Sequence, residues 1–209
     1  MSQGQILSAY QLRLLGSIFE RGAEAASRAL TQWLGKAVHL TISEVDQVDI
    51  TEVAGLLGPE DATVAVCTMS FAGRLEGQLL LVFSDAAGLA LADLLLQQPT
   101  GTTTAWTELE RSAACETANI VGCAYLNALS THLPRGDQNQ GETLIPSPPE
   151  FRHEFAASLL EFAVMEQASV LERVLLIKTR FQADQAHLDW VLLFVPTPNS
   201  LGELSRIHP

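Results

Sequence analysis

The sequence predicts an α+β fold made of two α-β-(X)-β-β repeats. Their strands join in a mainly antiparallel sheet, and the two long helices lie side by side on one face. Three observations predict it. Two long stretches, 8–34 and 108–133, carry helical periodicity, and each is followed later by a pair of apolar runs with the shape of a β-hairpin. The segments "ERGAEAASRALTQWLG" (20–35) and "NIVGCAYLNALSTHLP" (119–134) align without a gap at an offset of 99, so that Ala29-Leu30-Thr31 falls on Ala128-Leu129-Ser130 and Leu34 on Leu133. We therefore expect one domain over 1–209, with a first repeat at about 8–97 and a second at about 106–209.

In the first helix, Leu7, Leu14, Ile18, Ala25, Ala29 and Leu30 recur at helical spacing, and Gly35 is a plausible stop. "AVHLTIS" (37–43) alternates like a strand, and "ITEVAGLLG" (50–58) suits a short helix or crossing segment. "ATVAVCTMSF" (62–71) and "EGQLLLVFS" (76–84) form the first hairpin, and "DAAGLALADLLLQ" (85–97) returns to helix with Asp85 as candidate N-cap. "QPTGTTTAW" is a loop and the best internal boundary.

Thr107 followed by Glu110 is a capping-box pattern that opens the second long helix. "RGDQNQGE" (135–142) is polar, with an RGD string read as coincidence, and the prolines make "LIPSPPE" extended. "FRHEFAASLLEFAVME" (151–166) reads as a helix. "ERVLLIKTRFQ" (172–182) and "HLDWVLLFVP" (187–196) form the second hairpin, and a short helix ends the sequence.

Composition excludes several function classes. The 209 residues are 47% hydrophobic and 17% charged, enough apolar material for a core. A formal charge of -12 without basic runs excludes the electrostatic footprint of a nucleic-acid or anionic-membrane binder. Three cysteines without a C-x-x-C pair imply a reduced, cytoplasmic compartment. The five histidines lack zinc-ligand spacing, and neither a signal peptide nor a membrane span is expected. Phosphate-loop and dinucleotide motifs are absent.

One helical stretch carries chemistry. Along "SAACETANIVGCAYLNALS" (112–130), Ser112, Glu116, Asn119 and Cys123 fall within roughly 60° of one another at about 100° per residue. Ala114, Ala118, Val121, Tyr125 and Ala128 take the opposite side. The polar stripe is either an ordinary solvated face or a ridge whose carboxylate and carboxamide reach one external point.

The segment "SAACETAN" resembles the signature of the CheC/CheX/FliY family of chemotaxis phosphatases: Asp or Ser, three residues, Glu, two residues, Asn, and a proline further on. "YLNALS" (125–130), "ASRALTQWLGK" (26–36) and "FAGRLEGQLLLVF" (71–83) are similar to other family segments. The resemblance implies a phosphatase acting on the aspartyl-phosphate of a CheY-like response regulator. Asn119 would orient the attacking water and Glu116 would pair with the regulator's lysine, with Ser112 and Pro146 in supporting places. It implies no cofactor of the chain's own, since Mg²⁺ is supplied by the response regulator, and CheD as a further possible partner. The alternative is a non-catalytic scaffold or flagellar-switch module.

Two departures stand out. At the offset of 99, Asn119, Glu116 and Ser112 correspond to Glu20, Ser17 and Arg13, so a first site is not expected to act. Pro146 has 26 residues between it and Asn119, longer than the family pattern, and the 135–142 segment would account for the excess as an insertion.

Overall fold

The computed structural model describes residues 7–49, 52–59, 61–133, 143–158, 173–183 and 186–207. Helix α1 (Ala9–Leu34) opens at Ser8, whose hydroxyl accepts from the Gln11 backbone N–H while the Gln11 side chain returns to the Ser8 N–H. It closes at Gly35, where the backbone turns left-handed at φ 66°. Strand β1 (Val38–Asp49) follows, longer than the alternating run, with a register shift between Ile42 and Glu44. A one-turn helix α2 (Val53–Leu57) leads to the first hairpin, β2 (Thr63–Ala72) and β3 (Gly77–Ser84).

Helix α3 (Asp85–Leu95) is capped by Ser84, whose hydroxyl accepts from the Ala87 N–H. The expectation that Asp85 caps it is thereby corrected. The Asp85 carboxylate instead accepts from Thr63 Oγ1 (2.8 Å), Trp106 Nε1 (3.0 Å) and His153 Nε2 (2.8 Å), joining strand, loop and helix. The loop 98–106 is held from beneath by Asp93, which is 1% exposed and accepts from the backbone N–H groups of Gly101, Thr102 and Thr103.

Helix α4 (Glu108–Ser130) carries the expected capping box between Thr107 and Glu110. Beyond it, β4 (Ile145–Pro146) and β5 (Glu150–Phe155) both pair with the outer edge of β2. They are two pieces of one edge strand broken at Ser147-Pro148-Pro149, prolines that an edge tolerates because no ladder donor is lost there. The expectation of a helix from 151 is therefore corrected over 151–155. Phe151, His153 and Phe155 alternate with Arg152 and Glu154, and pairing with β2 outweighs the helical spacing further on. Residues 159–166 of that expected helix, and the polar 135–142 segment, lie outside the described residues. Strands β6 (Arg173–Ala183) and β7 (Ala186–Pro196) form the second hairpin, and α5 (Pro198–Leu204) follows with Thr197 as its cap.

The sheet runs β1-β6-β7-β3-β2, with β4 and β5 on the far edge, and every pairing is antiparallel. Its order reads the same from either end. The two hairpins meet through β3 and β7, and the opening strand of each half pairs with the hairpin of the other half. The apolar runs of β3, β6 and β7 do not alternate because both sheet faces are covered there: Leu79, Leu80, Leu81 and Val82 are each no more than 2% exposed.

Helices α1 and α4 pack together on one face. Phe19 meets Tyr125 edge-on at 5.7 Å between centroids, and Phe19, Phe194 and Phe71 continue the aromatic layer into the sheet. Trp106 and Trp190 are buried, whereas Trp33, at the end of α1, is 43% exposed.

Candidate functional site

The site starts from how α4 lies on its neighbours. Ala114, Ala118, Val121 and Tyr125 are at most 3% exposed, so four of the five residues read as the apolar side are buried, and Ala128 is half-buried. Thr117 and Leu129 join it at 0%, and Thr117 bonds its hydroxyl back to the Ala113 carbonyl at 3.0 Å. With that underside fixed, Ser112 and Glu116 are exposed and Asn119 and Cys123 half-buried. The four form the outer stripe.

Within the stripe, Cys123 Sγ donates to Asn119 Oδ1 at 3.5 Å, one helical turn away. That weak bond orients the carboxamide and leaves its amino group and an oxygen lone pair open. Glu116 stands two turns before Cys123 without a hydrogen-bond or ion-pair partner among the described residues. Its charge, after burial, helps push the Cys123 thiol up. The structure thus brings Ser112, Glu116 and Asn119 onto one ridge.

Pro146 is placed elsewhere. It lies in β4, opposite Phe71, near the C-terminal end of α4, where Ser130 Oγ accepts from the Leu144 N–H at 3.1 Å. Ser130 is roughly 20 Å along the helix axis from Glu116.

Asn119 also borders an open groove between the two long helices. Ala25 and Ala29 of α1 and Ile120, Ala124 and Ala128 of α4 give it a floor of mostly small residues. Arg21 lines the same groove and bonds His132 Nε2 at 2.8 Å. His132 Nδ1 meets the Ala128 carbonyl, so that nitrogen carries the hydrogen and Nε2 accepts from Arg21. The α1 side of this groove was not anticipated from sequence, although the offset of 99 already pairs Ala25 with Ala124 and Ala29 with Ala128.

Burial confirms that offset. The buried positions of α1 are 15, 18, 19, 22, 23, 26, 30 and 34. Shifted by 99 they become 114, 117, 118, 121, 122, 125, 129 and 133, and all eight are buried in the second half. Ser17 and Glu20 therefore stand on α1 where Glu116 and Asn119 stand on α4. Both are exposed, and Ser17 bonds its own helix at the Leu14 carbonyl.

No model of a known protein family matches the sequence. Solved structures do resemble it. Thermotoga maritima FliY is 17% identical with a TM-score of 0.74, over 96% of each chain. The FliM middle domain from H. pylori is 14% identical with a TM-score of 0.68, over 95% of this chain and 98% of that one. A chain of the FliG–FliM complex from H. pylori is 14% identical with a TM-score of 0.71, over 94% and 100%. This chain has the fold of FliY and of the FliM middle domain. The resemblance read from "SAACETAN" is thus borne out at the level of the fold. No helix among the described residues is long and apolar enough to cross a membrane, and none of their His, Cys, Asp and Glu side chains cluster as a metal site.

Proposed function

We propose that the protein accelerates hydrolysis of the aspartyl-phosphate of a CheY-like response regulator, working from the single ridge on α4. The observation that carries this reading is the pairing of an exposed Glu116, without a hydrogen-bond or ion-pair partner among the described residues, with a half-buried Asn119 on the outer side of a helix whose other side is locked into the core. Phosphoryl transfer asks mainly for a positioned nucleophile and compensated charge. Asn119 orients the attacking water with one donor and one acceptor, and it does so without titrating near neutral pH. Glu116 engages the regulator's phosphate-contacting lysine and fixes the dock. Mg²⁺ comes with the regulator, and Ser112 shapes the contact surface one turn before Glu116.

The test is loss of phosphate from a panel of phosphorylated response regulators, with wild-type protein and with Asn119→Ala. Wild type speeds the decay, and Asn119→Ala binds without speeding it. Decay at each regulator's own rate with wild type would reject the reading. Equal acceleration by the variant would reject the role of Asn119.

The second reading is a non-catalytic docking module, favoured by Ser17 and Glu20 in the corresponding places of α1 and by the fold shared with FliM, solved in complex with FliG and with SpeE. Under that reading Glu116→Ala weakens binding to a partner protein while phosphate loss is unaffected throughout. CheD belongs among the partners to be tried in the same binding assay.

A further inference from the structure

The ridge does not end at Ser112. Leu109, in the first turn of α4, is 57% exposed, although the apolar side of that helix is enclosed. It stands seven residues before Glu116 and falls within about 20° of it around the axis. Leu109, Ser112 and Glu116 therefore share one outward line about 10 Å long. Spacing of i, i+3 and i+7 is how a helix offers anchors to another protein. Leu109 is not among the side chains that pack on the core, so its burial is left for a partner to supply.

Arg111 stands on the flank of the same line, and it is held in place. Its Nε donates to the Trp106 carbonyl at 3.0 Å, and its guanidinium carbon lies 5.7 Å from the centroid of the Phe151 ring in β5. That platform is itself fixed, because the Trp106 and Phe151 centroids are 4.9 Å apart and Trp106 Nε1 donates to Asp85. The terminal nitrogens of Arg111 have no hydrogen-bond or ion-pair partner among the described residues. Neither acid of the preceding turn neutralises it: Glu110 is engaged in the capping box at Thr107, and Glu108 forms no ion pair with it. Arg180 and Arg206, by contrast, are paired with Asp189 and Glu203. A guanidinium so placed has already lost much of its rotamer freedom and still presents a planar fork of donors, so a carboxylate can meet it at small entropic cost. In a chain of formal charge -12, such a cation marks where an acidic surface can approach.

We propose that Leu109 and Arg111 are the docking anchors of the ridge, and that they select a response regulator whose surface sets an apolar pocket beside a carboxylate. Leu109 enters the pocket and leaves water. Arg111 takes the carboxylate through its open nitrogens in two parallel hydrogen bonds. Together they fix α4 from its N-terminal end, which sets the register that brings Glu116 and Asn119, about two and three turns on, to the phosphoryl group. The proposal rests on the reading that a regulator docks on α4, and it holds whether or not the docked regulator loses phosphate faster.

The test measures binding of the full chain to each regulator of the panel, loaded with Mg²⁺ and beryllofluoride, which mimics the phosphoryl group and is not turned over. Leu109→Ser and Arg111→Gln should each raise the Kd about tenfold, the loss expected for one buried leucine or one charge-assisted pair. Rising salt should narrow the gap between Arg111→Gln and wild type and leave the gap for Leu109→Ser. Leu56→Ser on α2, a leucine 46% exposed, and Arg206→Gln should bind as wild type does. If either Leu109→Ser or Arg111→Gln binds within about twofold of wild type, the two-anchor proposal is overturned while the phosphatase reading stands. A regulator that binds through both anchors yet keeps its own decay rate would reject the phosphatase reading and leave the anchors in place. Binding to no regulator overturns both. Leu109 is exposed and outside the core, so its variant folds whatever Arg111→Gln does to the Trp106 platform.

Discussion

Gly22 of α1 lies flat against the ring of Tyr125 of α4. A Cβ at Gly22 would land on the ring's Cδ1 and stand 3.0 Å from the Tyr125 Cα, so neither side chain rotation nor a small slide makes room. Tyr125 is 0% exposed and its hydroxyl meets Thr179 Oγ1 at 3.4 Å in the sheet. Gly22→Ala is expected to destabilise the fold by about 1–3 kcal/mol, the usual cost of overpacking a filled core. Denaturant melts will measure it, and a loss under about 0.5 kcal/mol would mean that the two helices can part freely.

The two halves share a device for starting their edge strands. Thr31 Oγ1 accepts from the Val38 N–H at 2.9 Å, seven positions on, and Ser130 Oγ accepts from the Leu144 N–H at 3.1 Å, fourteen positions on. The offset of 99 aligns Thr31 with Ser130, so the longer separation in the second half matches the insertion read at 135–142. Thr31→Val and Ser130→Ala should each cost about 1–2 kcal/mol, because each leaves a buried backbone donor without its acceptor. Thermal unfolding of the two variants should give similar losses.

Asp93 gives the fold an acid limit. Burial alone would raise its carboxyl, but the N–H groups of Gly101, Thr102 and Thr103 hold it below the usual range. A group depressed in the folded state stabilises fully above its unfolded value, near 3.9, and that stabilisation is lost as pH falls through the folded one. Asp93→Asn should therefore cost about 1–3 kcal/mol at pH 7 and progressively less below pH ~4. Urea melts across that range will show whether the difference between variant and wild type narrows.

Under the phosphatase reading, the first half can be given a site. Ser17→Glu with Glu20→Asn places the pair on the exposed face of α1 in the register that burial establishes. Both positions are exposed, so the fold should tolerate the change within about 0.5 kcal/mol. Phosphate release per molecule should rise, up to about twofold, and the rise should survive Asn119→Ala. If the α4 site is active and the graft adds nothing, the surroundings of the pair matter as much as the pair.

The sequence showed most of the architecture because its helices and hairpins are marked locally. Ser8, Gly35 and the Thr107–Glu110 box set helix ends by hydrogen bonds that neighbouring residues supply. Strand β5 was missed because "FRHEF" forms a strand only by borrowing the edge of β2, more than eighty positions earlier, which no local pattern records. Asp85 was misread for a similar reason: its three donors come from Thr63, Trp106 and His153, all distant in sequence, leaving the cap to Ser84. The ridge was legible as a stripe, since 100° per residue places Glu116 and Asn119 together. The groove beside it needed α1, and periodicity within one helix says nothing about which helix lies next to it.

The exchanged opening strands bear on how such a chain arises and folds. β1 completes the second hairpin and β5 completes the first, so either half alone would carry a hairpin with a bare edge and a strand with no ladder to join. Two identical half-chains could satisfy each other by trading those strands, and a single linker would then make the trade permanent. In topology this molecule is two strand-swapped halves joined in one polypeptide, and only the second half carries the Glu–Asn pair, with Ser17 and Glu20 in the matching places of the first.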